Sequence, residues 1–325
     1  MPSPHLTILV IPARAEGQRI DIALATLLPD RSRRSIRASI ARGEVVVSGK
    51  IVRIASRPVA PGDTIELPSD ASDPPPHDPL AVLAETGDYL ALEKPPGVLS
   101  EPAASTGIVD AGATALEIAR RMRALRGEPR PFASCVGRLD RPVSGLLLIA
   151  KSGEAHGGLV KSLQKPASRK IYLALTEGVP PAETGIIELP IRRSGPIHYS
   201  VVLEREGPFD DARQARTSYR VISKSGRFAL VSIRLHTGRT HQARLHLAAI
   251  GAPIAGDSRY GPGAVNSPDG WGEPPQRVFL HAHRIEFRWS GAPDTILSPL
   301  PPDFREELAR HRISSDLPAD LFAED

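Results

Sequence analysis

The 325-residue sequence carries 41 Lys and Arg against 37 Asp and Glu, with 41% hydrophobic and only 4% aromatic residues. That balance is ordinary for a globular chain of one large domain or two unequal ones, and it permits a polyanionic partner without demanding one. Cys135 is the only cysteine, which excludes an internal disulfide and a thiolate metal cage and fits a reducing, cytoplasmic setting. No apolar stretch approaches ~20 residues, which excludes a membrane-spanning helix. The first residues lack the basic start and cleavage pattern of a signal peptide.

In chain order, Ile20, Leu24, Leu27 and Leu28 stand at helical spacing before Pro29. Ser32 is placed to cap a second helix that carries Ile36 and Ile40 on one side and closes at Gly43. Residues 44–52 then read as two short strands about a Ser-Gly-Lys turn, and residues 63–67 as a third. Arg31, Arg33, Arg34, Arg37 and Arg42 fall within this stretch without an intervening carboxylate. A solvated helix face usually mixes signs, so a face of one sign beside a hairpin points to phosphate contacts. The run SRRSIRASIARGEVVVSGKIV resembles the alpha-L RNA-binding module first seen in a small-subunit ribosomal protein. The resemblance implies a small α/β RNA-binding domain over residues 17–70, with these five arginines and Lys50 facing RNA.

The proline-rich segment 71–80 reads as a stiff, extended linker. From residue 81 to 300, strand-like runs at 89–93, 145–150, 170–175, 228–235 and 278–287 outnumber helical patterns near 112–125, 155–163 and 240–249. Strands that do not alternate strictly with helices favour an α+β domain, built on a mixed, largely antiparallel sheet with flanking helices. Residues 261–276 read as a Gly/Pro-rich loop, and residues 301–325 as a tail with a short polar helix.

Two segments are placed to carry chemistry. In Gly137–Gly145 (GRLDRPVSG), a turn presents Asp140 between Arg138 and Arg141 at a sheet edge. An Asp at a turn often only caps backbone N–H groups. In Thr237–His246 (TGRTHQARLH), a helix starting near Thr240 would carry Arg244 inward, and a buried arginine requires a carboxylate, for which Asp140 is the conspicuous candidate. His236, His241 and His246 recur every five residues, a turn of ~140° per step on a helix, which does not gather them around a metal.

Six ordered segments resemble the RluA-type family of pseudouridine synthases. They are Glu93–Gly97 (EKPPG), Gly137–Gly145, Arg169–Leu175 (RKIYLAL), Thr237–His246, Gly251–Gly261 (GAPIAGDSRYG) and Leu280–Ala282. The resemblance implies an isomerase that converts uridine to pseudouridine in structured RNA without metal or cofactor. Asp140 falls on the catalytic aspartate and Tyr172 on the tyrosine that stacks on the base and supports proton removal from its carbon 5. Arg244 falls on the arginine paired with the aspartate, and Arg138 on a residue that can fill the space left by the flipped nucleotide. The family usually has His where Gly137 stands and Thr where Val143 stands. The expected partner is ribosomal RNA, with transfer RNA the other option, acted on by a monomer in the cytoplasm. The rival reading is a non-catalytic RNA-binding or ribosome-assembly factor that retains the fold.

Overall fold

The apolar spacing around residue 24 folds into a helix, α1 (Ile20–Leu27), which buries Ile20, Ala23 and Leu24. The computed structural model describes residues 6–28, 33–68, 80–101, 114–128, 131–194, 199–202, 209–261, 277–318 and 320–322. These divide into two units, one on each side of the proline-rich segment, whose residues 71–79 lie outside the described ones.

In the first unit α2 (Arg33–Arg42) buries Ile36 and Ile40 in the same core as α1. Four strands, β1 (Leu6–Val10), β2 (Val45–Val47), β3 (Lys50–Val52) and β4 (Thr64–Pro68), form an antiparallel sheet in the order β1-β4-β2-β3. The turn between β2 and β3 places Ser48 and Gly49 both at positive φ, which matches the right-handed twist of a tight hairpin. Strand β1 lies upstream of the expected start at residue 17. Its pairing with β4 shows that the N-terminal apolar run belongs to this sheet. Ser32, the expected cap of α2, lies outside the described residues.

The second unit opens with β5 (Val82–Glu85) and β6 (Tyr89–Lys94), followed by α3 (Ala115–Leu125), β7 (Ser134–Cys135), β8 (Ser144–Ala150) and α4 (Gly153–Leu163). Then come β9 (Arg169–Glu177), β10 (Thr184–Ile187), β11 (Ile191–Arg193), β12 (Tyr199–Val201), β13 (Thr217–Ser225) and β14 (Phe228–Leu235). The unit closes with α5 (Gln242–Ala249), β15 (Leu280–Trp289), β16 (Ala292–Leu297) and α6 (Pro302–Arg310). Its large sheet runs β10-β13-β14-β9-β15-β8-β6-β5, with β16 added beside β15 and β7 beside β8. Every pair is antiparallel except β8 with β15, so the sheet is mixed and largely antiparallel, as expected. At that parallel junction a Cβ on Gly145 would sit 2.4 Å from the carbonyl oxygen of Ala282, and Gly145 has φ +116. Only glycine admits this approach, which locks the start of β8, and the turn before it, to the sheet centre.

The C-terminal segment departs from the expected polar tail. Helix α6 presents Phe304 and Leu308, one turn apart, to a cluster that includes Ile171, Leu173, Leu230 and Leu321. Both side chains are fully buried, so the segment is part of this unit's core. Phe304→Ala is expected to lower stability by about 3 kcal/mol in a denaturant titration; an unchanged midpoint would leave α6 a surface appendage.

Candidate active site

Asp140 stands in the turn between β7 and β8, and three contacts fix that turn. Ser100 Oγ donates to the Leu139 carbonyl and accepts from the Leu139 N–H, both at 2.9 Å. The Gly97 N–H donates to the Arg141 carbonyl at 2.8 Å, and Arg141 Nε returns a bond to the Gly97 carbonyl at 2.9 Å. Lys94 is fully buried and donates to the carbonyls of Val98 at 2.7 Å, Pro95 at 2.9 Å and Arg141 at 3.2 Å. Burial pushes its pKa down to about 7, although nearby Asp140 pulls the other way. The Lys-Pro-Pro-Gly segment therefore shapes a turn, and its lysine stitches that turn to the one bearing Asp140.

Arg244 extends inward from α5 and is almost wholly buried. Its Nη1 donates to Asp140 Oδ2 at 3.2 Å, which brings together two side chains 104 residues apart in sequence. Asp140 is not its main partner, however. Nε and Nη2 form a two-pronged pair with Asp257 at 2.6 and 2.9 Å, and Asp257 Oδ1 also accepts the N–H groups of Arg259 and Tyr260. Asp140, the conspicuous candidate, does meet this arginine, and Asp257 joins it as a second carboxylate. A guanidinium has donors on two edges, and burial requires both to be met. Asp257 lies within the Gly251–Gly261 segment, whose match to the family motif gave it no role; a second carboxylate demanded by a buried arginine was the available signal.

The same helix start brings His241 to the site, a residue for which histidine spacing argued only against a metal. Its Nε2 is 3.8 Å from Asp140 Oδ2, and its Nδ1 is 2.6 Å from the Tyr260 hydroxyl. Gln242 holds the helix start in place. Its side-chain oxygen accepts from Thr237 Oγ1 and the Arg239 N–H, and its amide donates to Thr217 Oγ1 and the Arg216 carbonyl. His246 bonds separately to Thr217 and the Leu189 carbonyl, and His236 to Ser218, so the three histidines do not converge.

Asp140, Arg138, Tyr172, His241 and Arg244 line one pocket of about 180 Å³. Burial raises the pKa of Asp140, but His241, Arg244 and Lys94 outweigh it and hold the carboxyl below its usual range. Asp140 is therefore ionised at neutral pH, and a quarter of its side chain stays open to solvent. Tyr172 lies in β9 opposite Ala282 and Ile233 of the neighbouring strands. Burial and the nearby Asp140 raise its pKa, so it remains a phenol. Arg138 is exposed at the rim, 3.6 Å from Glu101. Gly137 has φ +90 with open space about it, so the family's usual histidine would meet backbone strain here, not a clash.

In the first unit, the expected arginine face is only partly free. Arg33 and Arg37 both reach the buried carboxylate of Asp21, which also pairs with Arg19, and Arg42 pairs with Glu44. Burial opposes the charge on Asp21, but the three guanidiniums hold its pKa at about 2. Each of Arg33, Arg37 and Arg42 still exposes about half of its side chain. Lys50 is exposed at the β2–β3 turn. Arg31 and the side chain of Arg34 lie outside the described residues.

Comparison with known proteins places both units. An RNA pseudouridylate synthase profile matches residues 88–249, and an S4 domain profile matches residues 18–65. An uncharacterized RNA pseudouridine synthase of Chloroflexus aurantiacus is 36% identical over 315 residues, covering 92% of this chain and 91% of that protein. Ribosomal large subunit pseudouridine synthase D of Xanthomonas campestris pv. campestris is 31% identical over 325 residues, covering 96% and 94%. Among solved structures, Human RNA Pseudouridylate Synthase Domain Containing 4 aligns with a TM-score of 0.56 and 22% identity, over 72% of this chain and 94% of that one. At that identity the likeness is one of fold.

Proposed function

The chain belongs to the RNA pseudouridylate synthase family and isomerises uridine to pseudouridine in RNA, and within that activity we propose that Asp140 acts on the ribose, Arg244 holds it and Tyr172 meets the base. The observation that carries this reading is the Asp140–Arg244 contact at 3.2 Å inside a pocket that Tyr172 also lines. The reaction breaks the bond from ribose carbon 1 to the uracil nitrogen, turns the base, and joins carbon 5 to the ribose. It is redox-neutral. It needs a carboxylate at the sugar, as nucleophile at carbon 1 or base at carbon 2, and a uridine drawn out of its stack. Asp140 supplies the carboxylate, charged and partly accessible. Tyr172 supplies a flat phenol that stacks on the base and supports removal of the proton from carbon 5. Arg138, at the rim, is suited to the space the nucleotide vacates. Tritium release from RNA labelled at uracil carbon 5, compared between the parent and Asp140→Asn, tests the assignment.

The substrate we propose is ribosomal RNA. Relatives named as large-subunit synthases align over almost the whole chain, and the S4 domain adds a basic surface. Arg33, Arg37 and Arg42, each about half exposed, and the exposed Lys50 supply cations suited to phosphates more than to base edges. Arg42→Gln combined with Lys50→Gln is expected to lower the slope of log affinity against log salt by about 2, with folding unchanged. An unaltered slope in a filter-binding titration would remove both residues from the RNA surface.

A further inference from the structure

Two side chains approach the same oxygen of Asp140. Arg244 Nη1 and His241 Nε2 stand 3.2 and 3.8 Å from Oδ2. His241 is held for this. It starts α5 at φ +58, a conformation rare for a residue with a Cβ, and it caps no backbone N–H of its helix. Its ring meets Tyr199 and Tyr260 edge-on, each at 5.6 Å between centroids, and Tyr260 also lies 4.9 Å from the Arg244 guanidinium carbon.

The tautomer follows from the neighbours. Burial pushes the pKa of His241 down to about 4, so the ring is neutral at physiological pH and carries one N–H. Were that proton on Nδ1, the Nε2 lone pair would face an ionised carboxylate. With the Tyr260 hydroxyl donating to Nδ1 at 2.6 Å, the proton stands on Nε2 and faces Asp140 favourably.

We propose that Tyr260 and His241 are positioning residues for the reacting carboxylate: the tyrosine hydroxyl fixes the histidine tautomer, the Nε2–H and Arg244 hold Oδ2, and Oδ1 is thereby reserved for the ribose. This rests on the assignment of Asp140 as the reacting group. If Asp140 attacks, Oδ1 bonds to ribose carbon 1 as the bond to nitrogen breaks with its electron pair going to the uracil. Oδ2 then becomes the ester carbonyl and keeps both donors. If Asp140 is a base, Oδ1 takes the proton from carbon 2, whose electron pair forms a carbon 1–carbon 2 double bond as the uracil leaves with the glycosidic pair, and Oδ2 is again the acceptor. At 3.8 Å the His241 contact is electrostatic, longer than a hydrogen bond.

The test is the pH profile of kcat/KM, because activity needs Asp140 ionised and falls as pH drops through its pKa. The charged and titratable groups facing Asp140 are Arg244 from α5, His241 just before that helix, Lys94 from β6 and Tyr172 from β9; Arg259 and Asp257 face His241 from the following loop. Loss of His241 raises the carboxyl pKa, so the acid limb is expected to move upward by ~0.5–1 pH unit in His241→Ala, while Tyr260→Phe, which acts on the tautomer of the neutral ring, is read at neutral pH. In both, kcat should fall by roughly 10-fold with KM within about twofold, and His241→Gln, whose amide still donates, should recover part of the loss. Tyr260→Phe keeps the ring beside Arg244, so it guards against a mere folding defect. An acid limb at the parent position in His241→Ala and kcat at parent values in both variants would overturn the proposal. Asp140→Asn run beside them keeps the two ideas apart: its inactivity upholds the catalytic assignment whatever His241 does, and its activity would sink that assignment.

Discussion

Asp140→Asn is expected to reduce tritium release from 5-labelled RNA by roughly 10⁴-fold or more while RNA affinity stays within about twofold. The substitution is close in shape, and the amide oxygen still accepts from Arg244 Nη1. Arg244 also keeps its two bonds to Asp257, so no buried charge loses its principal partner. What disappears is an anionic oxygen, which an amide cannot replace as nucleophile or as base. The same measurement separates an enzyme from an RNA-binding factor that only retains the fold. Turnover within a few-fold of the parent would end the assignment of Asp140. A second consequence concerns acid. Because the folded carboxyl is held below its usual value, its contribution to stability is complete above about pH 4 to 5 and is lost as pH falls through the folded pKa.

The pairing of Asp140 with Arg244 was legible because it follows from one rule applied to one motif. An arginine on the inward face of a helix cannot be left alone, and the turn at 138–142 offered a carboxylate at a sheet edge. Five donors on a guanidinium leave room for a second acid, and Asp257 sat unread in a segment whose glycines, proline and alanines look like a plain turn. His241 was missed for a different reason. Five-residue spacing argues against a metal site, but it says nothing about a single histidine that the backbone throws into the left-handed region at a helix start. In the small unit the pattern of helices and hairpin was readable from apolar spacing. The pairing of Arg33 and Arg37 with Asp21 was not, because it joins two helices through one buried acid 12 and 16 residues away. Strand β1 was not assigned because a five-residue apolar run is ambiguous by itself and gains its meaning only from β4, with which it pairs. The α6 contacts were overlooked because a helix with two large apolar residues among charges reads as polar on average.

Asp257→Asn should be damaging to folding and to turnover together. Arg244 and Asp257 are both almost wholly shielded from water, and their two bonds at 2.6 and 2.9 Å neutralise the guanidinium on the side away from substrate. Removing that charge leaves a buried cation whose remaining anion is Asp140. A loss of about 3–5 kcal/mol in unfolding free energy is expected, toward the lower end because asparagine still accepts one bond. The loop carrying Arg259 and Tyr260 loosens as well, since Asp257 Oδ1 accepts both of their N–H groups. Asp140 would then turn toward the under-neutralised guanidinium, away from the pocket, and turnover should fall by roughly 10²-fold in the molecules that remain folded. The companion variant Arg244→Met with Asp257→Leu divides the two effects. Replacing a buried pair by apolar side chains of similar volume is often neutral for stability, so the double variant should unfold near the parent midpoint yet stay inactive. Its Asp140 would keep the charge but lose the donor that aims it. If Asp257→Asn instead matched the parent in both denaturation and tritium release, Arg244 would be anchored by Asp140 alone, and the second carboxylate would have no part in building the site.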